Sequence, residues 1–431
     1  MKPFDYTLIA FCALGAEKIC SNEIRKLNEV SGSYQILESR WGQIVFQTDL
    51  RGIYRALCAL RTADRLLLRC ASFRASNFDE LFEGVRKIEL EALVPRNAGL
   101  FVSKVRSKAS QLKAQTAIQS LVHKAAAERL CTAWGLQRLD DNAPQKIELR
   151  VFLEKNQADI LLDICGKPLF KRGYREGSGG IAPLRETSAA ALLFSAGWRR
   201  KYPLYDPFCG SGTIAVEAAL FACNLAPNLT RHFAFDHLLP ADTDSAASVR
   251  EELRAAADFS KPFSIIGSDT DSGLISLAQK NLSAAFDGFT VSTPPVFHKL
   301  PMENAKTFTD VPGIIITNPP YGKRLGSLNE AEEGYAKMAV LRKNFPGWKI
   351  IVISDHSGFE SFFGQKADAC ATLTYGVSNT YIYQFEKPDA PPPPRAEKPN
   401  YERRGARKPP ESAPASSPQK NRPPPKKNYT W

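Results

Sequence analysis

The sequence predicts an open, mostly parallel α/β sheet of the Rossmann-like kind, with a smaller α+β module before it and a disordered tail after it. Three observations lead there. Between residues 202 and 386, β-like runs alternate with helical periodicity, and a glycine-rich turn joins the first strand to its helix. Residues 6–165 instead run strand, helix, strand, strand before a second set of strands and helices. From Pro388 the chain is rich in Pro, Lys, Arg and Ser and has almost no aliphatic residues, too few to bury a core. The 431 residues divide accordingly into 1–49, 50–166, 167–387 and 388–431.

Charge and cysteine usage narrow the partners. The net charge is +12 and the pI about 9.2, which points to an acidic partner such as nucleic acid. The tail carries 10 Lys/Arg against 4 Asp/Glu, half of that excess, and adds non-specific RNA affinity or solubility. Nine scattered cysteines without a C-x-x-C pair fit a reducing compartment and argue against a disulfide framework or a zinc ribbon. No metal is expected. With no apolar run of membrane-spanning length and no signal core at the start, the chain reads as a soluble cytoplasmic protein.

In chain order, Tyr6–Ala13 is β-like, Ala16–Val30 has apolar residues at helical spacing, and Tyr34–Leu37 and Gln43–Gln47 are short strands around a Trp41-Gly42 turn. This β-α-β-β unit resembles half of a ferredoxin-like fold. A helix is expected at Arg51–Leu60, a strand at Asp64–Phe73, and an amphipathic helix at Phe78–Ile88. A strand at Leu100–Val105 and a long helix at Gln111–Trp134 follow, then strands at Ile147–Glu154 and Asp159–Cys165. Lys104, Arg106, Lys108 and Lys113 cluster at a strand–helix junction, where they are either phosphate contacts or a solvated face.

The catalytic signals lie beyond residue 183. Leu184–Trp198 is helical, and Tyr202–Asp206 is a strand that runs into Pro207-Phe208-Cys209-Gly210-Ser211-Gly212-Thr213 and a helix from Ile214 to Cys223. Gly210 and Gly212 let the backbone approach a ligand closely, and Asp206 offers an acceptor to a cationic or hydroxylated group. The G-S-G-T spacing is neither the dinucleotide fingerprint nor a P-loop. Strands at Phe263–Gly267 and Phe289–Val296 come next. Asp269, just past the first of these, is placed to hold ribose hydroxyls. Asp271 suits a helix cap, and Glu303 is the acid beyond the second. Cys209 has no neighbouring His in sequence and reads as structural.

The run Val311–Thr317 is a buried strand stopped by Asn318-Pro319-Pro320-Tyr321. Asn318 stands at the carboxyl end, where open α/β sheets bind ligands. Its amide oxygen and the Pro319 carbonyl can accept both hydrogens of one exocyclic amine, while Tyr321 offers a face for stacking. That is the chemistry of methyl transfer to a nucleobase amine. A helix at Tyr335–Phe345, a fifth strand at Trp348–Ser354 and a hairpin over Leu373–Val377 and Thr380–Glu386 complete the sheet.

Taken together, these motifs resemble the THUMP-domain class I RNA methyltransferases. Leu169-Phe170-Lys171-Arg172-Gly173-Tyr174-Arg175 is similar to the run that leads into their catalytic domain, with Phe170 where His is common. Asp206–Thr213 matches their glycine motif, Gly267-Ser268-Asp269-Thr270-Asp271 keeps both acids, and Lys323 replaces a usual Glu after Asn-Pro-Pro-Tyr. The resemblance implies a seven-stranded class I sheet, S-adenosylmethionine as cofactor held by Asp206, Phe208, Gly210, Gly212, Thr213, Asp269 and Glu303, and a catalytic Asn318–Tyr321. It also implies RNA contacts by Lys171, Arg172 and Arg175, or a purely structural hinge role for that run. Within that class the chain is most similar to the amino-terminal half of the RlmL-type bacterial enzymes, which methylate the guanine N2 amine in 23S rRNA. A guanine in tRNA and the N6 amine of adenine in DNA are alternative substrates. A non-catalytic RNA-binding ribosome-assembly factor is the non-enzymatic alternative.

Overall fold

The computed structural model describes residues 5–96, 98–140, 142–175, 184–320, 328–375 and 378–386. Tyr321 and the tail from 388 lie outside the described residues.

The first half builds one mixed sheet. In chain order it comprises β1 (Tyr6–Phe11), α1 (Glu17–Ser31), β2 (Tyr34–Arg40), β3 (Gln43–Thr48), α2 (Leu50–Ala59), β4 (Arg65–Arg74), α3 (Phe78–Arg86), β5 (Gly99–Lys108), α4 (Gln115–Trp134), β6 (Lys146–Glu154) and β7 (Gln157–Asp163). The strand order is β2-β3-β1-β4-β7-β6-β5, with only β5 and β6 parallel. Caps set the helix starts. Asp49 accepts from Gly52 N–H at 2.7 Å before α2, and Asn77 from Glu80 N–H at 2.8 Å before α3. β1 is bonded to β3 on one side and β4 on the other, so a single sheet crosses position 49. Its alternate residues Leu8 and Ala10 enter a core shared with Phe46, Leu66, Val122 and Leu149.

The second half is the expected open sheet. It runs α5 (Glu186–Ser195), β8 (Leu204–Asp206), α6 (Thr213–Ala222), α7 (Thr243–Ala255), β9 (Ile265–Asp269), α8 (Ser272–Ala285), β10 (Val296–Lys299), β11 (Ile314–Thr317), α9 (Leu328–Lys337), α10 (Val340–Asn344), β12 (Lys349–Ser354), α11 (Phe359–Phe363), β13 (Ala369–Tyr375) and β14 (Ser378–Phe385). The order is β10-β9-β8-β11-β12-β14-β13, parallel except where β14 inserts antiparallel between β12 and β13. The third strand is corrected from 289–296 to 296–299. Pro294 and Pro295 have no N–H for a ladder, so pairing begins after them, while Phe289 stacks on Phe259 at 5.0 Å. α7 has no counterpart in the sequence reading.

The halves exchange packing groups. Phe233, Phe235, Leu238, Ala246 and Val249 of the second half complete the core of the first. Ala13 and Ala16 of the first half enter the core of the second. Around this exchange Leu14 pairs with Thr374 through two backbone hydrogen bonds, and Glu252 of α7 bridges Arg51 and Arg55 of α2. A Cβ on Gly15 would collide with the Thr372 carbonyl, which requires glycine there. Among the described residues no helix is long and apolar enough to cross a membrane.

Candidate active site

β8 and β11 lie side by side with β9 and β12 flanking them, so the chain direction of the windings reverses between the first and fourth strands. In such sheets the crevice at the carboxyl ends at this switch point receives ligands. Asp206 ends β8 there, 1% exposed. Its Oδ1 accepts from Thr317 Oγ1 at 2.7 Å and from Phe208 N–H at 3.2 Å. Burial, helped by the charge of Asp269, pushes its carboxyl up to about 7.

The glycine turn is fixed from both sides. Gly210 and Gly212 have φ of +51° and +81°, conformations that favour glycine. Gly210 N–H donates to Asp269 Oδ2 at 3.0 Å and Cys209 N–H to the Ser268 carbonyl at 2.9 Å, tying the turn to the end of β9. Asn281 of α8 donates to the Ser211 carbonyl at 2.8 Å. A Cβ on Gly212 would stand 2.9 Å from Ala278 Cβ, whereas at Gly210 it would meet nothing within 4 Å. Among the described residues the turn is therefore packed behind Gly212 and open above Gly210. Asp271 caps α8 through Gly273 N–H at 2.7 Å. Cys209 is buried, and burial pushes its thiol well above the ordinary range. Glu303 lies exposed on a short 3₁₀ turn beyond β10.

Across the crevice, Asn318 follows β11 directly. Its Oδ1 is buried and accepts no hydrogen bond among the described residues, an arrangement that costs about 1–3 kcal/mol unless a ligand donates to it. Pro319 is buried beside it and Pro320 half-buried. Thr317 links the two sides of the crevice through its bond to Asp206, and the sequence reading missed it. A hydroxyl at the last residue of an otherwise all-Ile strand was the available signal.

The expected RNA-contacting residues fall into different classes. Arg172 is buried, so its assignment to phosphate is corrected. Its Nε lies 3.5 Å from Glu217 of α6, and its terminal nitrogens donate to the Leu169 and Arg61 carbonyls. Tyr174 also donates to Glu217, at 3.1 Å. Arg175 lies 3.4 Å from Glu186 and donates to the Leu184 carbonyl and Thr213 Oγ1. Both arginines clip the interdomain segment onto the catalytic half. Glu217, unnoticed in sequence, is the counter-charge that makes the clip possible. Lys171 is exposed above the Phe170 ring.

Lys104, Arg106 and Lys108 alternate along β5 on one face, and Lys104 pairs in register with Arg150. Burial and the neighbouring Arg150, Arg106 and Arg65 hold the Lys104 ammonium below its ordinary range. Lys108 lies 4.6 Å over the Trp41 ring and 3.8 Å from Glu154. Lys113 is exposed ahead of α4.

Residues 172–383 match the family model described as RMKL-like, methyltransferase domain, and residues 7–67 the one described as RlmL ferredoxin-like domain. YpsC of Bacillus subtilis, whose name makes it a candidate RNA methyltransferase, is 35% identical over 88% of this chain and 96% of its own length. The ribosomal RNA large subunit methyltransferase K/L of Syntrophotalea carbinolica is 29% identical over 88% of this chain, which spans 54% of that longer protein. Among solved structures, SMU.472, described as a methyltransferase candidate complexed with SAH, superposes with a TM-score of 0.78 at 30% identity over 88% of this chain and 97% of its own. A Listeria monocytogenes protein described as a predicted N6-adenine-specific DNA methylase gives 0.79 at 32% over 88% and 96%. With the fold, the strand-end crevice and both family models in agreement, the chain belongs to the RMKL-like methyltransferase family.

Proposed function

We propose that this chain transfers the methyl group of S-adenosylmethionine to the exocyclic N2 amine of a guanine in RNA, with 23S rRNA as substrate. The observation that carries the reading is Asn318 Oδ1, a buried acceptor with no donor among the described residues at the end of β11. The crevice fits a nucleoside cofactor, since the Gly210 backbone faces open space among the described residues and two carboxylates, Asp206 and Asp269, flank it. Asp206, Phe208, Gly210, Gly212, Thr213, Asp269 and Glu303 would hold the cofactor, which supplies a methyl group on a good sulfonium leaving group.

The chain's own part is positioning. Asn318 Oδ1 and the Pro319 carbonyl accept the two amine hydrogens, which turns the nitrogen lone pair toward the methyl carbon. The Pro319-Pro320 backbone holds that geometry rigid. The target base leaves its stack to reach the crevice; Tyr321, outside the described residues, would be its stacking partner. Holding the reactants in line supplies most of the acceleration, and the amine sheds its proton only after transfer.

The names of the K/L relatives support ribosomal RNA, and that of the Listeria protein supports a second reading, the N6 amine of adenine in DNA. Purified protein incubated with radiolabelled S-adenosylmethionine and separate rRNA, tRNA and DNA pools, followed by nucleoside analysis, decides between them. Label as N2-methylguanosine in large-subunit rRNA that disappears with Asn318→Ala is the expected result. Label only as N6-methyladenine in DNA would overturn it.

A further inference from the structure

A second site lies at the seam between the halves. A cleft of about 400 Å³ opens where the end of the N-terminal sheet, the segment after it and residues 231–237 meet. Lys167, Lys171, Arg231, His232 and His237 line it, and among the described lining residues none carries a carboxylate. Arg231 supplies charge from the floor. Its guanidinium donates to the Lys167 and Pro168 carbonyls at 2.7 and 2.9 Å and fixes the backbone that bears the two lysines. Burial and the nearby Arg172 and Arg65 hold Arg231 below its ordinary range, as expected where positive charge is concentrated. The acid of the 231–237 segment, Asp236, accepts from Phe233 N–H at 2.9 Å and sits 3.7 Å from His232 and 3.9 Å from Arg250. Lys171 and His237 are exposed at the rim.

The position of the cleft relative to the crevice is constrained by the chain. Lys171 lines the cleft, and Arg175 donates to Thr213 Oγ1, the first residue after the glycine turn, at 3.3 Å. Four residues span no more than roughly 14 Å between α-carbons. Arg172 and Tyr174 anchor that span to Glu217, so the separation is fixed.

We propose that this cleft holds a backbone phosphate of the substrate RNA a few nucleotides from the target base, and thereby sets which base reaches Asn318. The proposal rests on the reading of the protein as an RNA methyltransferase and adds to it an anchoring point outside the catalytic crevice.

The test compares wild type with Lys171→Ala, His237→Ala and Lys18→Ala, the last an exposed lysine on α1 serving as a control for net charge. Affinity for a large-subunit rRNA fragment is measured across a salt series, KM and kcat for methyl transfer are measured on the same fragment, and SAH affinity is measured by calorimetry. Lys171→Ala is expected to lower the slope of log affinity against log salt by about 0.7–0.9, one phosphate contact. It should also raise KM for RNA about tenfold, with SAH affinity unchanged and Lys18→Ala like wild type. A slope and KM for both cleft variants equal to those of Lys18→Ala would overturn the proposal. So would millimolar inorganic phosphate binding that depends on Lys171 without any change in RNA slope, which would make the ligand a free anion. Wild type that binds RNA with the Lys171-dependent slope but transfers no methyl would refute the proposed activity and leave the cleft assigned.

Discussion

Replacing Asp206 by Asn tests how the crevice uses a buried acid. Its carboxyl lies at about 7 in the folded chain against an ordinary 3.8, a difference worth ~4 kcal/mol. The folded state therefore holds an extra proton between about pH 4 and pH 7. Its contribution is most favourable below the unfolded value and declines as pH rises through that window, levelling off above about 7. Asp206→Asn removes the titration while keeping an acceptor for Thr317. Urea midpoints should match near pH 3.5, below the unfolded value, and diverge toward pH 8, with the variant more stable by up to ~4 kcal/mol. Cofactor binding should move the other way. A cation placed against Asp206 requires the carboxylate, so wild-type affinity for S-adenosylmethionine should fall about tenfold per pH unit below 7, and the variant should bind weakly at every pH. Calorimetry from pH 5.5 to 8 reads both. A wild-type affinity that is flat over this range, or a variant without the growing stability advantage, would refute the assignment of Asp206 as the ionised ligand.

Two further predictions concern the architecture. Arg172→Ala should destabilise the chain by about 3–5 kcal/mol, because it removes one partner of a buried ion pair and leaves Glu217 only Tyr174 and the charge of Arg61; a urea titration giving a loss below 1 kcal/mol would contradict the buried clip. Phe235, fully buried against Tyr54 with ring centroids 5.2 Å apart, should cost about 3–5 kcal/mol on truncation to Ala. That loss should appear as one shared transition for both halves in thermal denaturation, and two separated transitions would show that the packing exchange does not couple them.

Much of the sheet was legible because its signals are local. Ile314–Thr317 is a buried apolar run ended by proline, and Gly210-Ser211-Gly212 sits between a strand and a helix, as the turn demands. Asp271 as a helix cap followed from its place before Ser272. What escaped depends on distant partners. Nothing near Arg172 indicates that Glu217, 45 positions on, pairs with it, so sequence alone leaves an RNA contact and a structural hinge equally open there. Phe233 to Val249 pack into a core built from residues far earlier in the chain, and no periodicity within the segment announces that destination. The third strand starts later than its β-branched run suggests, because Pro294 and Pro295 inside that run have no N–H for a ladder. Tyr321, the residue expected to stack on the base, lies outside the described residues.

The exchange of packing groups also sets an order of events during synthesis. The last strand of the N-terminal sheet ends at Asp163, yet its core is closed only by side chains as late as Val249. At roughly 5–20 residues per second, that leaves the emerging sheet incomplete for on the order of 4–17 s. During that interval the surface that will meet Phe235 and Val249 is apolar and uncovered, so a chaperone that shields it should raise the yield of nascent chains. The same dependence makes residues 1–166 a poor fragment to express alone, because the cut removes Phe233, Phe235, Leu238, Ala246 and Val249 from the core they complete.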